Sequence, residues 1–501
     1  MRHWVLALIV TQAAAGCSTP DRPDGDRSSL PDTSGQSRAQ LETRRPPAFV
    51  PEFNVRLDPG SHRLAASIEF AVAAPDTVHL LFRTEWEGYP DLVERLRKLE
   101  AFAPSGALPV IRDAGHLGRG HHIIGVPDAQ RLTIAYELAL TPASESRLYH
   151  RASQLGEDGG HLIGGDFLPR VWLGQPRNGA QPGRVWFSGL PPRWRVATVE
   201  TRAGTAYAVA DVLHAVFIVG ALRSDRINLG PRSLTTEIYG RWPVADERVT
   251  EAVRSIAGNL HLIAGDGWAA GDYLLGAGRV PEEIPGLSTG GQVIGKSGIV
   301  YVGGNGPAEL EFRHWLYTTA HELMHWYIPT GFALKGQPPS WFAEGFTDYM
   351  ALKILLAGGL IEPQEFLDRI GERIARYRRS SLYGLKSVVE AQADFWKDDA
   401  YRYIYDGGAA AAFLLDLGFQ DRGGSLEHAL REIRRNQLVT ADNLTSALAA
   451  VRENRWILEW LASGANPDWD LRLEQYRLSW RDDTLISLDG WVTNALSSIR
   501  P

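Results

Sequence analysis

One cysteine, Cys17, stands in 501 residues, so no disulfide can form within the chain. Basic charge is not in excess either. Lys and Arg number 52 against 59 Asp and Glu, and the net charge of −7 leaves no positive footprint for a nucleic acid. Past the first residues there is no long run free of polar groups. The most apolar stretch, Ala206 to Leu222, carries Asp211 and His214 and does not read as a membrane span. No internal repeat is visible. What is present is an ordinary globular balance, 44% hydrophobic and 22% charged, in a length that suits two or three domains. The 16 Trp are read as core, not as a carbohydrate site.

The stretch that carries chemistry is Thr318-Thr319-Ala320-His321-Glu322-Leu323-Met324-His325-Trp326. It contains His-Glu-x-x-His. Residues four apart on a helix share a face, about 6 Å apart at Cβ, so two imidazoles can hold one zinc ion between them. Glu322, one residue along, reaches a water at the metal without being a third ligand. The flanks favour a helix. Pro307 suits a first turn, Glu309 lies near the positive end, and Pro329 is expected to stop the run after Ile328. The same four letters also arise by chance, as surface or capped core histidines.

Hydrolytic zinc needs a third protein ligand and an open fourth position. Nineteen residues beyond His325 comes Glu344, in Trp341-Phe342-Ala343-Glu344-Gly345-Phe346-Thr347-Asp348-Tyr349. This reads as a second helix, with Ser340 as N-cap and Gly358-Gly359 as the stop. Asp348 lies four residues after Glu344 on the same face. It is either a carboxylate that accepts the spare ring N–H of a zinc-bound histidine or a solvated helix-face charge.

This helix pair, and Glu344-Gly345-Phe346-Thr347-Asp348-Tyr349 above all, resembles the glycyl aminopeptidase family of gluzincin metallopeptidases. The resemblance implies a thermolysin-like α+β catalytic domain in which His321, His325 and Glu344 bind zinc and Glu322 is the general base. Gly165-Asp166-Phe167-Leu168-Pro169 and Pro191-Pro192-Arg193-Trp194 also resemble the family, whose N-terminal β domain flanks the cleft. Tyr403-Ile404-Tyr405-Asp406-Gly407-Gly408 resembles its Tyr-x-Lys-Gly segment. That places Tyr405 on the tyrosine whose hydroxyl steadies the tetrahedral intermediate, with Tyr401 and Tyr403 as rivals.

Two departures stand out. Gly407 occupies the lysine's place. Gly290-Gly291-Gln292-Val293-Ile294 is the best match to the family's Gly-Gly-Leu-Glu-His motif and lacks its glutamate, which holds a substrate's amino group. Glu282 and Glu283 lie upstream. The strands read at Gln292 to Ile294 and Gly298 to Val302 either line the cleft, so that a peptide adds as a further strand, or form a plain hairpin.

The expected organisation is multidomain. Residues 1–17 form a lipoprotein signal peptide. Residues 18–48, rich in Pro, Ser, Asp and Arg, form a flexible tether. Short alternating runs over 49–235 give a mostly β domain, 236–420 the catalytic domain, and 421–501 a C-terminal α-helical region. Many family members continue into a PDZ-like domain, for which no room is expected here. Ala14-Ala15-Gly16-Cys17 resembles a bacterial lipobox, and Ser18 fits sorting to an outer membrane. The alternative is a plain secretory signal with an incidental cysteine.

The sequence thus reads as an exported bacterial cell-envelope zinc peptidase. Its partners would be a peptide or protein substrate and the membrane, reached through a lipid on Cys17. Aminopeptidase action is the family expectation. An endopeptidase of the same fold is the rival within the class, and a non-enzymatic binding lipoprotein the rival outside it. An intact Glu322 argues against the last. Cys17→Ser is expected to release the protein from membranes or block its processing. Unchanged membrane fractionation, with no lipid on the mature N-terminus, overturns the lipobox reading.

Overall fold

The computed structural model describes residues 49–488, apart from 87–91, 114, 116, 141–150, 280–286, 305, 333, 398, 436–439, 449–453 and 482–483. Cys17, the signal segment 1–17, the whole tether 18–48 and the pair Glu282 and Glu283 lie outside the described residues. Among the described residues no helix is long and apolar enough to cross a membrane.

The first part of the chain is β-rich because its apolar residues recur with period two. Strand Glu52–Asp58 buries Phe53, Val55 and Leu57 and exposes the residues between them. It lies inside an eight-stranded sheet, antiparallel to Arg63–Val72 and parallel to Gly183–Ser188. Two four-stranded sheets accompany it. Phe53, Val55, Ile68, Ile134, Phe167 and Phe217 are fully buried in the core that these strands enclose. Each such side chain contributes about 1.5–3 kcal/mol when removed from water.

A five-stranded sheet follows, in the order Arg223–Leu229, Arg232–Tyr239, Gly271–Arg279, Ser297–Gly304, Leu287–Ile294. The boundary expected at 235/236 therefore falls inside a strand. Arg232–Tyr239 pairs in parallel with Gly271–Arg279 in full register, a long-range pairing that no local pattern announces. Helix α1 (Asp246–Ala264) makes the crossover between these two strands. Ser297–Gly304 is buried along its whole length, as a strand covered on both faces must be. Gln292 to Ile294 and Gly298 to Val302 do form a hairpin, and Leu287–Ile294 is the edge of the sheet. On one face of the sheet, Leu274, Ile299 and Tyr301 meet Ile163, Val216 and Ile218 of the β-rich part.

The other face carries α1 and helix α2 (Ala308–Met324), and on these pack α3 (Thr347–Ala357) and, beyond it, α4 (Pro363–Arg379) and α5 (Ala400–Gln420). A fully buried cluster ties α3 to α5. Lys353 Nζ lies 2.5 Å from Asp416 Oδ2 and 2.6 Å from Glu427 Oε1, and the Tyr349 hydroxyl donates to Asp416 Oδ2 at 2.6 Å. The C-terminal part is helical over Leu426–Arg435 (α6), Ala441–Leu448, Arg455–Ser463 and Trp469–Glu474. It departs from the all-helical expectation at the hairpin Leu478–Arg481/Thr484–Ser487. The reason is tertiary. Leu485 and Trp480 pack directly on Gly371 of α4, where a Cβ would already lie 3.1 Å from Leu485 Cβ.

Candidate metal centre

Helix α2 is a core helix: Phe312, Trp315, Leu316, Ala320, Leu323 and Met324 are all buried. Pro307 stands at the position before its first turn, not within it, and Glu309 and Glu311 supply the acidic first turn. The helix ends at Met324, short of the expected Ile328. His325 is its cap, and the hydrogen bonds tighten there, His325 N–H to Glu322 O and Trp326 N–H to Leu323 O, both 3.1 Å. Pro329 restricts the residue before it, so the turn must unwind earlier than its own position. His321 and His325 still share one face.

Glu344 comes from a wide π-type turn, Trp341–Phe346, that leads directly into α3. Ser340 precedes it, but its side chain makes no capping bond. Its backbone N–H goes instead to Gln392 Oε1 at 2.8 Å. Gly358 and Gly359 close α3 as expected. The turn sits against α5 backbone to backbone: a Cβ on Gly345 or Gly408 would overlap the other segment. Thr347 ties the turn to the end of α2, its hydroxyl lying 2.7 Å from Ala343 O and 3.2 Å from Ile328 O.

Among the described residues, His321, His325 and Glu344 form a buried group whose ligand atoms lie within 4.8 Å of one another. The Nε2 atoms of His321 and His325 are 3.1 Å apart, and Glu344 Oε2 lies 3.4 Å and 3.7 Å from them. Bonds of about 2.0–2.1 Å at tetrahedral angles place ligand atoms roughly 3.4 Å apart. The triangle has that size, and Glu344 Oε2 is buried without a hydrogen-bond donor. The residues fit a zinc ion. The His325 tautomer is fixed: Nδ1 donates to Ile328 O at 2.9 Å, so Nε2 keeps its lone pair.

Burial opposes protonation of His321, but Asp348, Glu344 and Glu322 outweigh it and hold the imidazole up to about 10. Burial pushes its partner His325 down to about 4.

Asp348 stands in the first turn of α3, just past the wide turn that carries Glu344. Oδ1 faces His321 Nδ1 at 3.4 Å, on the side away from the triangle. Oδ2 accepts from Arg373 Nε of α4 at 2.5 Å. Burial would raise this carboxyl, but Arg373 and His321 keep it well below the ordinary range. Glu322 is fully buried and lies against the edge strand, where a Cβ on Gly291 would overlap its Cγ. The Tyr405 ring stacks on His321, centroids 6.0 Å apart. Burial, then the neighbouring Glu344 carboxylate, push its phenol well above its usual value. Its rival Tyr403 is committed elsewhere, its hydroxyl lying 3.1 Å from Tyr377 Oη and 2.8 Å from Lys386 O.

Both departures have a packing reason. A Cβ on Gly407 would lie 2.7 Å from Val388 and 3.0 Å from Tyr377, so no side chain fits there. Gln292 turns away from α2, accepts from Trp86 Nε1 at 2.7 Å and donates to Arg151 O at 3.0 Å. Val293 is buried in the main core. Sequence reasoning missed Thr347 and Arg373. Arg373 is 6% exposed and ion-paired with Asp348.

Residues 334–409 match the M61 glycyl aminopeptidase family model, a span that includes Glu344, Asp348 and Tyr405 and begins after the His pair. The chain resembles that family. Among solved structures it is similar to an aminopeptidase N family protein from Idiomarina loihiensis, with a TM-score of 0.70 and 15% identity, over 86% of this chain and 79% of that one. An M1 zinc metallopeptidase from Deinococcus radiodurans matches at a TM-score of 0.47 and 14% identity, over 84% of this chain and 95% of that one. A mutant of an M1 zinc metallopeptidase from the same organism, bound to a Tyr-Ser-Ala substrate, matches at 0.47 and 15%, over 84% and 94%. No curated protein matches the sequence.

One zinc per chain is expected to survive gel filtration of the wild-type protein. His325→Ala and Glu344→Ala should each lose it. Stoichiometric zinc in both variants by elemental analysis overturns the ligand assignment.

Proposed function

We propose that this chain is a zinc-dependent peptidase that acts on the amino-terminal end of peptides. The observation that carries the reading is the buried triangle of His321 Nε2, His325 Nε2 and Glu344 Oε2, 3.1–3.7 Å on a side, with Glu322 beside it. Zinc bound there supplies a Lewis acid for water and the scissile carbonyl. Glu322 takes the proton of the attacking water and delivers it to the leaving amine. The Tyr405 hydroxyl, which burial keeps protonated, donates to the carbonyl oxygen as negative charge develops on it. The edge strand Leu287–Ile294, beside Glu322, offers its free edge to an extended peptide.

The layout we attach to this activity is a thermolysin-like catalytic unit flanked by a β-rich part, exported and held at a bacterial outer membrane through Cys17. Glu322→Gln keeps the three ligand groups and tests the chemistry. It should bind zinc as the wild type does and lose hydrolysis by about 10²–10⁴-fold. Near-normal turnover in that variant removes Glu322 from the role of base.

Specificity for a free amino group requires an acid near the zinc, because an ammonium in a partly desolvated cleft needs a counter-charge. Neither Gln292 nor Val293 supplies one, and Glu282 and Glu283 are the nearest acids upstream. The endopeptidase reading follows from the same gap: with that end open, a peptide runs through along the edge strand. Free and N-acetylated forms of the same peptides separate the two. An aminopeptidase should lose most of its activity on acetylated peptides, whereas equal rates on both forms overturn that reading in favour of internal cleavage.

A further inference from the structure

Helix α4 contributes no ligand, yet it reaches the back of the metal centre. Its Arg373 is buried, and its guanidinium is held twice, by Asp348 Oδ2 through Nε at 2.5 Å and by Arg369 O through Nη1 at 2.9 Å. Asp348 divides its two oxygens. One takes the Arg373 bond, and the other faces His321 Nδ1 at 3.4 Å. His321 in turn directs Nε2 at His325 and Glu344. Arg373, Asp348 and His321 therefore form one line into the triangle, contributed by α4, α3 and α2. The crevice that Tyr317, Thr318, Asp348, Arg369 and Arg373 enclose behind His321 measures about 10 Å³. That is room for at most one water beside the guanidinium.

We propose that Arg373 is a positioning residue that sets the affinity of the metal centre by fixing the Asp348 carboxylate against His321. The proposal rests on the zinc reading above and adds to it a residue more than fifty positions from the His pair's first member. The physical ground is torsional. A lone carboxylate on α3 can rotate about its last bond and present either oxygen in any direction. A short charge-assisted bond to one oxygen fixes where the other points. Partners of this kind behind a ligating histidine typically govern 10–100-fold in metal affinity.

Arg376, also on α4, is the internal comparison. It is half-exposed and pairs with Asp406, Nη2 to Oδ1 at 2.6 Å, with no contact to Asp348. Substituting Arg376 also strips a buried carboxylate, Asp406, of its α4 partner, so it separates the loss of an α4 ion pair from the loss of the bond to Asp348.

The test measures zinc dissociation constants by chelator competition on the full chain, with folding followed by circular dichroism. Arg373→Met and Asp348→Asn should each weaken zinc binding by about 10–100-fold. Arg376→Met should leave it within about twofold of wild type, well under the loss expected of an orienting residue. The Arg373→Met/Asp348→Asn double variant should be no weaker than Asp348→Asn alone, because Arg373 acts through Asp348. Removing Arg373 leaves a buried carboxylate without its partner, and the single variant can fail to fold. The double variant removes both charges and keeps the comparison with Asp348→Asn available. A folded Arg373→Met with wild-type affinity overturns the proposal, as does a double variant whose losses add. Wild-type protein that binds no zinc overturns the metal reading and this inference together. Wild-type binding with no effect of Arg373→Met overturns this inference alone.

Discussion

Two imidazole nitrogens and a carboxylate oxygen all point their lone pairs at one buried spot, at separations of 3.1–3.7 Å. Such an arrangement is unfavourable by itself: the groups repel, and burial has removed the water that would screen them. It persists only where surrounding packing imposes it and a cation, or a proton on His321, offsets it. Much of the surrounding architecture meets this requirement. Helix α2 is buried on all sides through its last two turns, so the two histidines cannot swing out. Glu344 is held on a wide turn whose neighbour α5 approaches within backbone contact at Gly345 and Gly408. Thr347 bridges the two ligand-bearing segments. Lys353, Asp416, Glu427 and Tyr349 fasten α3 to α5 and α6 one and two turns farther on.

The same constraint explains a π-type turn at the third ligand. An α-helix through Trp341 to Phe346 would place successive carbonyls one residue closer, and the ligand would rotate relative to α3. The wider turn lets Glu344 face the histidines while Asp348, four residues on, still reaches the far side of His321. Turns of this kind are found at functional sites more often than elsewhere in helices. Glu344 and the carboxylate that faces the far side of His321 thus share one continuous helical segment.

How much of this could be read beforehand follows from how local each feature is. The His pair was legible because fixed helical spacing carries the information within a few residues, whereas Glu344 and Asp348 rested on the Trp341–Tyr349 motif nineteen residues beyond His325. Tyr405 was legible through family resemblance, and its separation from Tyr403 required the packing of α5. The β-rich start and the edge hairpin announced themselves by alternation. The parallel pairing of Arg232–Tyr239 with Gly271–Arg279 did not, since nothing near residue 235 records a partner more than thirty residues away. The terminal hairpin Leu478–Ser487 was hidden for a similar reason: its apolar residues are specified by Gly371 of α4. Arg373 was hidden by a competing explanation, since basic residues late in a helix satisfy its dipole without further cause.

The two places where the chain parts from the family pattern it resembles differ in kind. At Gly407 the missing lysine is a matter of volume, for Val388 and Tyr377 occupy the space a side chain would need. That loss is internal to the packing of α5 and leaves Tyr405 stacked on His321. At the edge strand the change is one of charge and direction. Gln292 is drawn away from the cleft by Trp86 and Arg151, so this strand is fastened to the β-rich part at the register where Gly291 touches Glu322. The contact with Glu322 and the contact with the β-rich part therefore fall on adjacent residues of one strand, the first on the face turned to α2 and the second on the face turned away from it.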